Sequence, residues 1–284
     1  MKIHTIPLAL LLLAACNIDR TETAELPDPD FAAVLEYTPA PGQYVNDARE
    51  AGFGGEHTPE AARAYAERRL RARRYVSLGA WGGSLVAAFA QPVQNDGGYN
   101  LLIEGNSFAT SSEPGIVWVM RDENGNGKPD DTWYELKGSE EANAVRGYEV
   151  TYYRPAADSD PVAWSDNRGG SGTVDRTKEH PQSYWPAWIE GDSCTLGGTL
   201  LPKNVEPSDD RWIPQPFAWG YADNYASEGR NLFRIGDAVD AQGEPVSLPS
   251  IDFVKIQTGV QDKGLQIGEV STEITAIRNY NLLK

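Results

Sequence analysis

Short apolar runs, separated by Gly, Asn, Asp and Pro, recur along most of the chain after residue 74. They are rich in β-branched and aromatic residues, and the last run places Val270, Thr272 and Ile274 on one face with polar residues between them. Such alternation is typical of a strand with one buried face. The runs are YVSLGAW, SLVAAFA, YNLLIEG, GIVWVMR, TWYELKG, YEVTYYR, NLFRIGDAV, IDFVKIQTG and EVSTEITAI. The pattern predicts an all-β fold, an antiparallel β-sandwich or jelly roll.

The stretch before these runs has the pattern of a helix. Thr58 suits the N-cap position, Pro59 suits the first helical position, and the following AARAYAERRLRARR consists of helix-forming residues. We expect one helix over about residues 58–74, peripheral to the sandwich. Its basic end would lie at the negative end of the helix dipole.

Between about residues 154 and 230 the alternation gives way to segments rich in Pro, Gly and Trp. We expect long loops at one end of the sandwich there, because loops on a rigid scaffold often carry binding sites. The length suits one large domain, so residues 37–284 would form a single β-sandwich.

The N-terminus has the pattern of a secretory signal, with Lys2 followed by a largely apolar run to Ala15. The sequence LAAC at 13–16 looks like a bacterial lipobox, in which Cys16 is lipidated and becomes the first mature residue. An ordinary signal peptide with an incidental cysteine is the alternative. Asn17 after the cysteine favours the outer membrane. We expect a signal peptide over 1–15, a lipidated flexible tether over 16–36, and a folded domain held at the membrane by its acyl anchor only.

Charge and cysteine usage exclude several classes of function. The formal net charge of −16 repels phosphate backbones, so nucleic-acid binding is disfavoured. Lipidation of Cys16 leaves Cys194 as a single thiol, which cannot form an internal disulfide. After the signal, His57 and His180 are the histidines that remain, so a zinc site or a cysteine or serine protease is poorly supplied.

The segment DENGNGKPDD, residues 122–131, concentrates oxygen donors. Its spacing matches the first half of a D-x-[DN]-x-[DN]-G calcium loop, but position twelve is Trp133 instead of the Glu that an EF-hand requires. A plain turn is the alternative, since Asp, Asn, Gly and Pro are also turn residues. We expect structural Ca²⁺ because only oxygen ligands are at hand. The expected ligands are Asp122, Asn124, Asn126, the backbone carbonyl of Lys128, Asp130 and Asp131, with Glu135 as a further candidate.

Aromatic residues are numerous, with eight Trp and thirteen Tyr, and several fall in the predicted loops beside carboxylates and amides. Such a set suits a sugar, whose ring stacks on an indole while its hydroxyls bond to Asp or Asn. The alternative is that these aromatics only cover the edges of the sandwich. The candidate ligand-binding residues are Trp185, Trp188, Trp212, Trp219, Tyr221, Asp223 and Asn224. Trp118 and Trp133, inside strand patterns, are expected to belong to the core.

Four segments also carry a resemblance: SLGAWGGSLVAAFAQPVQNDGGYNLLIEGNSF, SEPGIVWVMRDENGNGKPDDTWYELKGSE, WGYADN, and IDFVKIQTGVQDKG with GEVSTEI. Over roughly residues 75–277 the chain resembles bacterial cell-surface lipoproteins of the Bacteroidetes type, often called cell surface proteins or PKD-type lipoproteins. Their cores are similar to galactose-binding, discoidin-type jelly rolls. The resemblance implies fold and location, and little chemistry.

The expected function is therefore a calcium-stabilised, cell-surface lipoprotein that binds a glycan or other nutrient, beside an outer-membrane transporter. A structural or adhesive surface protein is the second hypothesis. A glycoside hydrolase is third, since Glu104 with Glu113, or Asp166 with Asp223, could form a carboxylate pair. No G-x-S-x-G, H-E-x-x-H or P-loop motif occurs, so we expect no enzyme.

Overall fold

A computed structural model describes residues 27–226, 231–265 and 267–284. Antiparallel strands dominate it, and the all-β class predicted from the sequence is confirmed. In chain order the strands are β1 (Ala33–Thr38), β2 (Val76–Ser77), β3 (Ser84–Gln94), β4 (Leu101–Glu104), β5 (Gly115–Met120), β6 (Trp133–Leu136), β7 (Val145–Tyr153), β8 (Val162–Asp166), β9 (Ser171–Val174), β10 (Ser193–Leu200), β11 (Val205–Ser208), β12 (Arg211–Pro214), β13 (Leu232–Phe233), β14 (Ala238–Val239), β15 (Ser250–Thr258), β16 (Lys263–Gly264), β17 (Gly268–Glu269), β18 (Glu273–Ile274) and β19 (Ala276–Asn279). Helix α1 is Pro59–Arg71, and short 3₁₀ helices span Ile235–Asp237 and Tyr280–Leu282.

The largest sheet has six strands in the order β1-β3-β15-β5-β6-β14. Strand β15 lies at its centre, and Val254 pairs with Ala87 on one side and with Val119 on the other. All three side chains are fully buried, because β-branched and small apolar residues fit a pleated surface packed against a core. The hairpin of β5 and β6 holds the 122–131 loop at its turn.

A second sheet has the order β10-β7-β8-β9. In β7, Tyr148, Val150 and Tyr152 are buried and alternate with exposed or half-buried neighbours, as a one-sided strand requires. This sheet and the separate pair β11-β12 correct one expectation. Strands β8 to β12 lie inside the region 154–230, where long loops were predicted. Their sequences, such as SGTV and SCTLGGTL, are small, polar and half-exposed, so they lack the apolar alternation that identifies a strand.

Part of the expected tether also belongs to the fold. Phe31 is buried, and β1 begins at Ala33 and pairs with β3, so the described residues of the 16–36 segment are not all flexible. The apolar run FAAVLEY, 31–37, supplies this edge strand, and the acidic, proline-containing residues before it concealed the signal. The predicted signal peptide and Cys16 lie outside the described residues.

Helix α1 forms where the sequence predicts it. The side chain of Thr58 accepts a hydrogen bond from the backbone N–H of Ala61, and Pro59 occupies the first turn. The helix buries Ala62, Tyr65, Ala66 and Leu70 in the same core as the inner face of β1. At the edge of β1, Arg63 donates to the carbonyl of Val34 and Glu67 accepts from the N–H of Val34.

The C-terminal run EVSTEITAI departs from its predicted form. The sequence predicts one strand with one buried face, but the chain breaks into β17, β18 and β19. Ser271, Thr272 and Glu273 are all fully buried, so both faces of this segment are covered. Polar residues buried on both sides need partners, and the segment therefore carries most of the polar chemistry described below.

Candidate functional site

The loop at 122–131 folds its polar side chains inward. Asp122 accepts hydrogen bonds from the backbone N–H groups of Asn126 and Gly127, at 3.1 and 2.8 Å. The side-chain amides of Asn124 and Asn126 both donate to Asp130. Five of the six expected ligands thus contribute side-chain groups to one small network. Asp131 is one of the five, through its bond with Asn124. The sixth, Lys128, donates its backbone N–H to the Asn126 side chain.

Glu135, the further candidate for that loop, lies elsewhere. Its carboxylate is buried, accepts a 2.6 Å hydrogen bond from the Thr199 hydroxyl and lies 3.6 Å from the guanidinium of Arg146. The strand alternation of β6 directs this side chain to the face of the sheet that also carries Trp118 and Lys255. Glu135 is therefore a structural residue of the sheet and not a ligand of the loop.

The candidate tryptophans do not converge on one surface. Trp185 and Trp188 are 2% and 6% exposed, and the Trp188 ring lies 5.8 Å from that of Phe53 in the main core. Trp212 is half-buried on β12 against Gly264, whereas Trp219 is 47% exposed and lines a separate cavity with Tyr99. The four tryptophans therefore do not line one common cavity, and a Pro- and Gly-rich sequence does not reveal which neighbours cover an indole.

The other three candidates from that region are internal. Tyr221 is buried and its hydroxyl accepts from the backbone N–H of Glu140. The side-chain amide of Asn224 bonds to both the N–H and the carbonyl of Phe217, which fixes the preceding loop. Asp223 is fully buried and belongs to an acidic cluster described below. None of the three lines the aromatic cavity described next.

A cavity of about 330 Å³ lies between strands β8 and β9 and the segments around residues 80 and 260–270. Trp164 forms one wall, directly opposite Gly172 on β9. A Cβ atom at 172 would lie 2.7 Å from the Trp164 ring, so the glycine lets the indole lie flat across the strand. We call this cavity the Trp164 cleft; the residues that carry its chemistry are Trp81, Tyr152, Trp164, Lys203, Gln261 and Glu269.

Three residues that line the Trp164 cleft each carry a buried polar atom that has no hydrogen-bond partner among the described residues. These atoms are Nε1 of Trp81, Nε2 of Gln261 and Oε2 of Glu269. The two nitrogen atoms are donors, the Glu269 oxygen accepts when the carboxyl group is ionised and donates when it is protonated, and each atom is shielded from solvent. An unpaired buried polar group costs roughly 1–3 kcal/mol, so three of them around one cavity are unusual in a folded protein.

Glu269 gives the floor of this cleft its electrostatic character. Its Oε1 accepts a 2.6 Å hydrogen bond from the backbone N–H of Gln43, and the residue is 3% exposed. Burial raises the pKa of Glu269 to about 8, because the low-dielectric surroundings disfavour its charge. At the rim, the side chain of Lys203 is largely exposed and pairs with Asp262.

A second group of polar residues lies beside β18. Oxygen atoms of Glu113, Asp223 and Glu273 all lie within 4.8 Å of one another. Asp223 and Glu273 are fully buried, whereas Glu113 is half-buried. Burial raises the pKa of all three carboxyl groups, that of Glu113 to about 8, and neighbouring carboxylates add to the effect. We call these residues the acidic triad.

The local structure fixes the acidic triad firmly. Asp223 has a left-handed backbone with φ of 51° and accepts hydrogen bonds from the N–H groups of Asn106, Ser107 and Glu273. Gly105 permits this approach, since a Cβ there would lie 2.1 Å from Oδ1 of Asp223. The sequence analysis placed Glu113 and Asp223 in other carboxylate pairs, and Asp223 also among the ligand-binding candidates. Asp166 accepts instead from the hydroxyl of Tyr148, in the second sheet.

Cys194 is half-buried, and burial raises the pKa of its thiol to about 11. The thiol is therefore protonated at neutral pH, as a structural cysteine should be. Within the described residues, no helix is both long and apolar enough to cross a membrane. No protein-family model matches the chain, and a search of curated proteins gives no significant match.

Proposed function

We propose that the chain is a binding protein for a small, hydroxyl-rich ligand, such as a glycan fragment or another polar nutrient, held in the Trp164 cleft. The observation that carries this proposal is that three residues with an unpaired buried polar atom line one aromatic cavity. The volume of about 330 Å³ falls within the range of roughly 300–1,000 Å³ common for small-molecule sites.

The donor and acceptor set matches hydroxyl groups. A hydroxyl can both accept and donate, so a ligand that reaches these shielded atoms could accept from Trp81 and Gln261 and either donate to Glu269 or accept from its protonated carboxyl group. The Trp164 indole offers a flat apolar face for the C–H side of a sugar ring. A ligand bound in this way would satisfy polar groups whose burial without a partner is costly. The cleft should therefore bind it more tightly than an apolar ligand of the same size.

A binding screen with sugars and other small nutrients, read by tryptophan fluorescence, tests the proposal. Trp164→Ala and Gln261→Met should each weaken binding at least tenfold. The control is Trp219→Ala, because Trp219 is exposed and lines a separate cavity. This variant should bind as the wild type does. Equal affinity of all these proteins for a ligand would exclude the cleft. Failure of every compound to bind would favour the structural or adhesive role.

The same proposal includes a cellular location. The LAAC sequence at 13–16 supports lipidation of Cys16 and an outer-membrane lipoprotein, exposed at the cell surface beside a transporter that takes up the ligand. Cell fractionation of Cys16→Ser checks this part independently of ligand binding. Membrane association that is unchanged in the variant would contradict the lipid anchor.

Calcium in the 122–131 loop is also part of the proposal, in a structural role. The support is the inward convergence of Asp122, Asn124, Asn126, Asp130 and Asp131. Carboxylate and amide oxygens are the ligands that Ca²⁺ prefers, and amide groups can rotate to present oxygen instead of nitrogen. A dication there would cancel the repulsion among three carboxylates on one hairpin turn.

A further inference from the structure

The acidic triad has no compensating positive charge in the described part of the chain. No lysine, arginine or histidine there forms an ion pair with Glu113, Asp223 or Glu273, although eleven ion pairs occur elsewhere. Carboxylates this close cannot all carry charge in a buried place without a bound cation or proton. The group therefore needs a neutralising partner from outside the described residues.

A second observation concerns oxygen atoms beside the triad that lack a partner. Glu273 is fully buried, its Oε1 accepts from the Ser271 hydroxyl at 2.9 Å, and its Oε2 has no hydrogen-bond donor other than a proton shared with the Glu113 carboxyl group. The Ser107 hydroxyl, whose backbone N–H bonds to Asp223, is a second shielded oxygen without a partner. Unpaired oxygen atoms beside clustered carboxylates are free to bind a cation.

The triad is also preorganised. Three backbone N–H groups hold Asp223, the N–H of Ser271 holds Oε1 of Glu113 at 3.0 Å, and the Ser271 hydroxyl holds Glu273. A carboxylate has about four acceptor positions, so Asp223 keeps one for a further partner.

We propose that Glu113, Asp223 and Glu273 bind a hard divalent cation, Ca²⁺, Mg²⁺ or Mn²⁺, at a site separate from the 122–131 loop. Oxygen-only ligands select this class of ion over zinc or copper. The separations of up to 4.8 Å match oxygen atoms arranged around one ion at roughly 2.0–2.6 Å. Bound there, the ion would join three segments distant in sequence: 105–113, 221–224 and 271–274.

The experiment counts ions on the folded chain without interference from the loop. The protein carrying Asp130→Asn, which weakens the loop, is stripped with chelator and dialysed separately against Ca²⁺, Mg²⁺ and Mn²⁺. Calorimetry and elemental analysis then give the number bound. We expect one ion per chain with at least one of these metals, and at least tenfold weaker binding when Glu273→Gln is added.

Glu135→Gln is the matched control, since Glu135 is also a buried glutamate, with partners Thr199 and Arg146, and it should leave binding unchanged. Glu113→Gln at the half-buried position is the second test variant, in case the first does not fold. Circular dichroism in chelator checks that each variant is folded. No ion bound to the Asp130→Asn protein, or equal binding after Glu273→Gln or Glu113→Gln, would overturn the proposal and leave protons as the neutralising partner.

Discussion

The ammonium group of Lys255 lies 4.7 Å from the centre of the Trp118 ring, which stands directly opposite it on the neighbouring strand. The Trp133 ring is 5.3 Å away on the same face, so two indoles flank one half-buried cation. The sequence analysis assigned both tryptophans to the core; both are half-buried, because this face also carries Lys255 and Glu135. Aromatic faces offset part of the cost of removing the ammonium from water.

This arrangement makes stability depend on pH above neutrality. Burial lowers the pKa of Lys255 from 10.5 to about 8, so between these values the unfolded chain binds more protons than the folded chain. The free energy of unfolding should therefore rise with pH across that window, by on the order of 3 kcal/mol. Chemical denaturation of wild type and Lys255→Met from pH 7 to 10.5 measures the difference. Parallel profiles for the two proteins would contradict the shifted lysine.

Glu269 should produce the opposite dependence at lower pH. Its pKa rises on folding from 4.5 to about 8, because burial disfavours the charge. The protonated carboxyl group contributes fully to stability below pH 4.5. This contribution, on the order of a few kcal/mol, is lost as pH rises through 8. Denaturation of Glu269→Gln and wild type, both in chelator, should show stabilities that diverge across this window. A constant difference between pH 4.5 and 8 would exclude a protonated Glu269.

Calcium should stabilise the protein through the 122–131 loop. An ion that binds only the folded state, present at ~1 mM with a dissociation constant of ~10 μM, adds about 2.7 kcal/mol to the free energy of unfolding. This corresponds to several degrees in Tm. Because the acidic triad also binds cations in our proposal, the comparison uses Asp130→Asn against the exposed Asp160→Asn. The increase in Tm on adding calcium should shrink in the first variant only. An equal increase in both would show that the loop does not contribute.

Trp188 should behave as a core residue. Its ring contacts those of Phe53 and Tyr37 at centre distances of 5.8 and 5.9 Å, and the residue is 6% exposed. Trp188→Ala should cost about 3–5 kcal/mol, as loss of a buried aromatic side chain does. Trp219→Ala, at a 47% exposed position, should change stability by less than about 0.5 kcal/mol. Urea denaturation compares the two, and similar losses would contradict the assignment of Trp188 to packing.

Local sequence information predicts the elements whose causes are local. The Thr58 cap and Pro59 define the start of the helix, alternating apolar residues identify β7, and short apolar runs identify β5 and β15. The strands β9 and β10 escape such analysis, because their small, half-exposed residues owe their conformation to pairing with β7 and β8.

The sites depend on contacts that no local pattern contains. Glu113, Asp223 and Glu273 are far apart in the chain and meet only after folding. The sequence offers one signal, Glu273 in STEI. It lies inside a run rich in buried residues, where a charged side chain needs a partner. The tryptophans illustrate the opposite case: their polar sequence neighbours indicated exposure, while the core covers Trp185 and Trp188.

The contacts of α1 with Val34 determine whether the β1 edge of the six-stranded sheet can pair with a strand of another molecule. An unpaired edge strand is a template for strand addition by another chain. On β1, however, Arg63 and Glu67 already occupy the carbonyl and N–H of Val34, and Arg71 occupies the carbonyl of Ala32. The opposite edge, β14, has only two residues. Both ends of the sheet thus resist edge-to-edge aggregation, a protection that would matter most where many copies are crowded together.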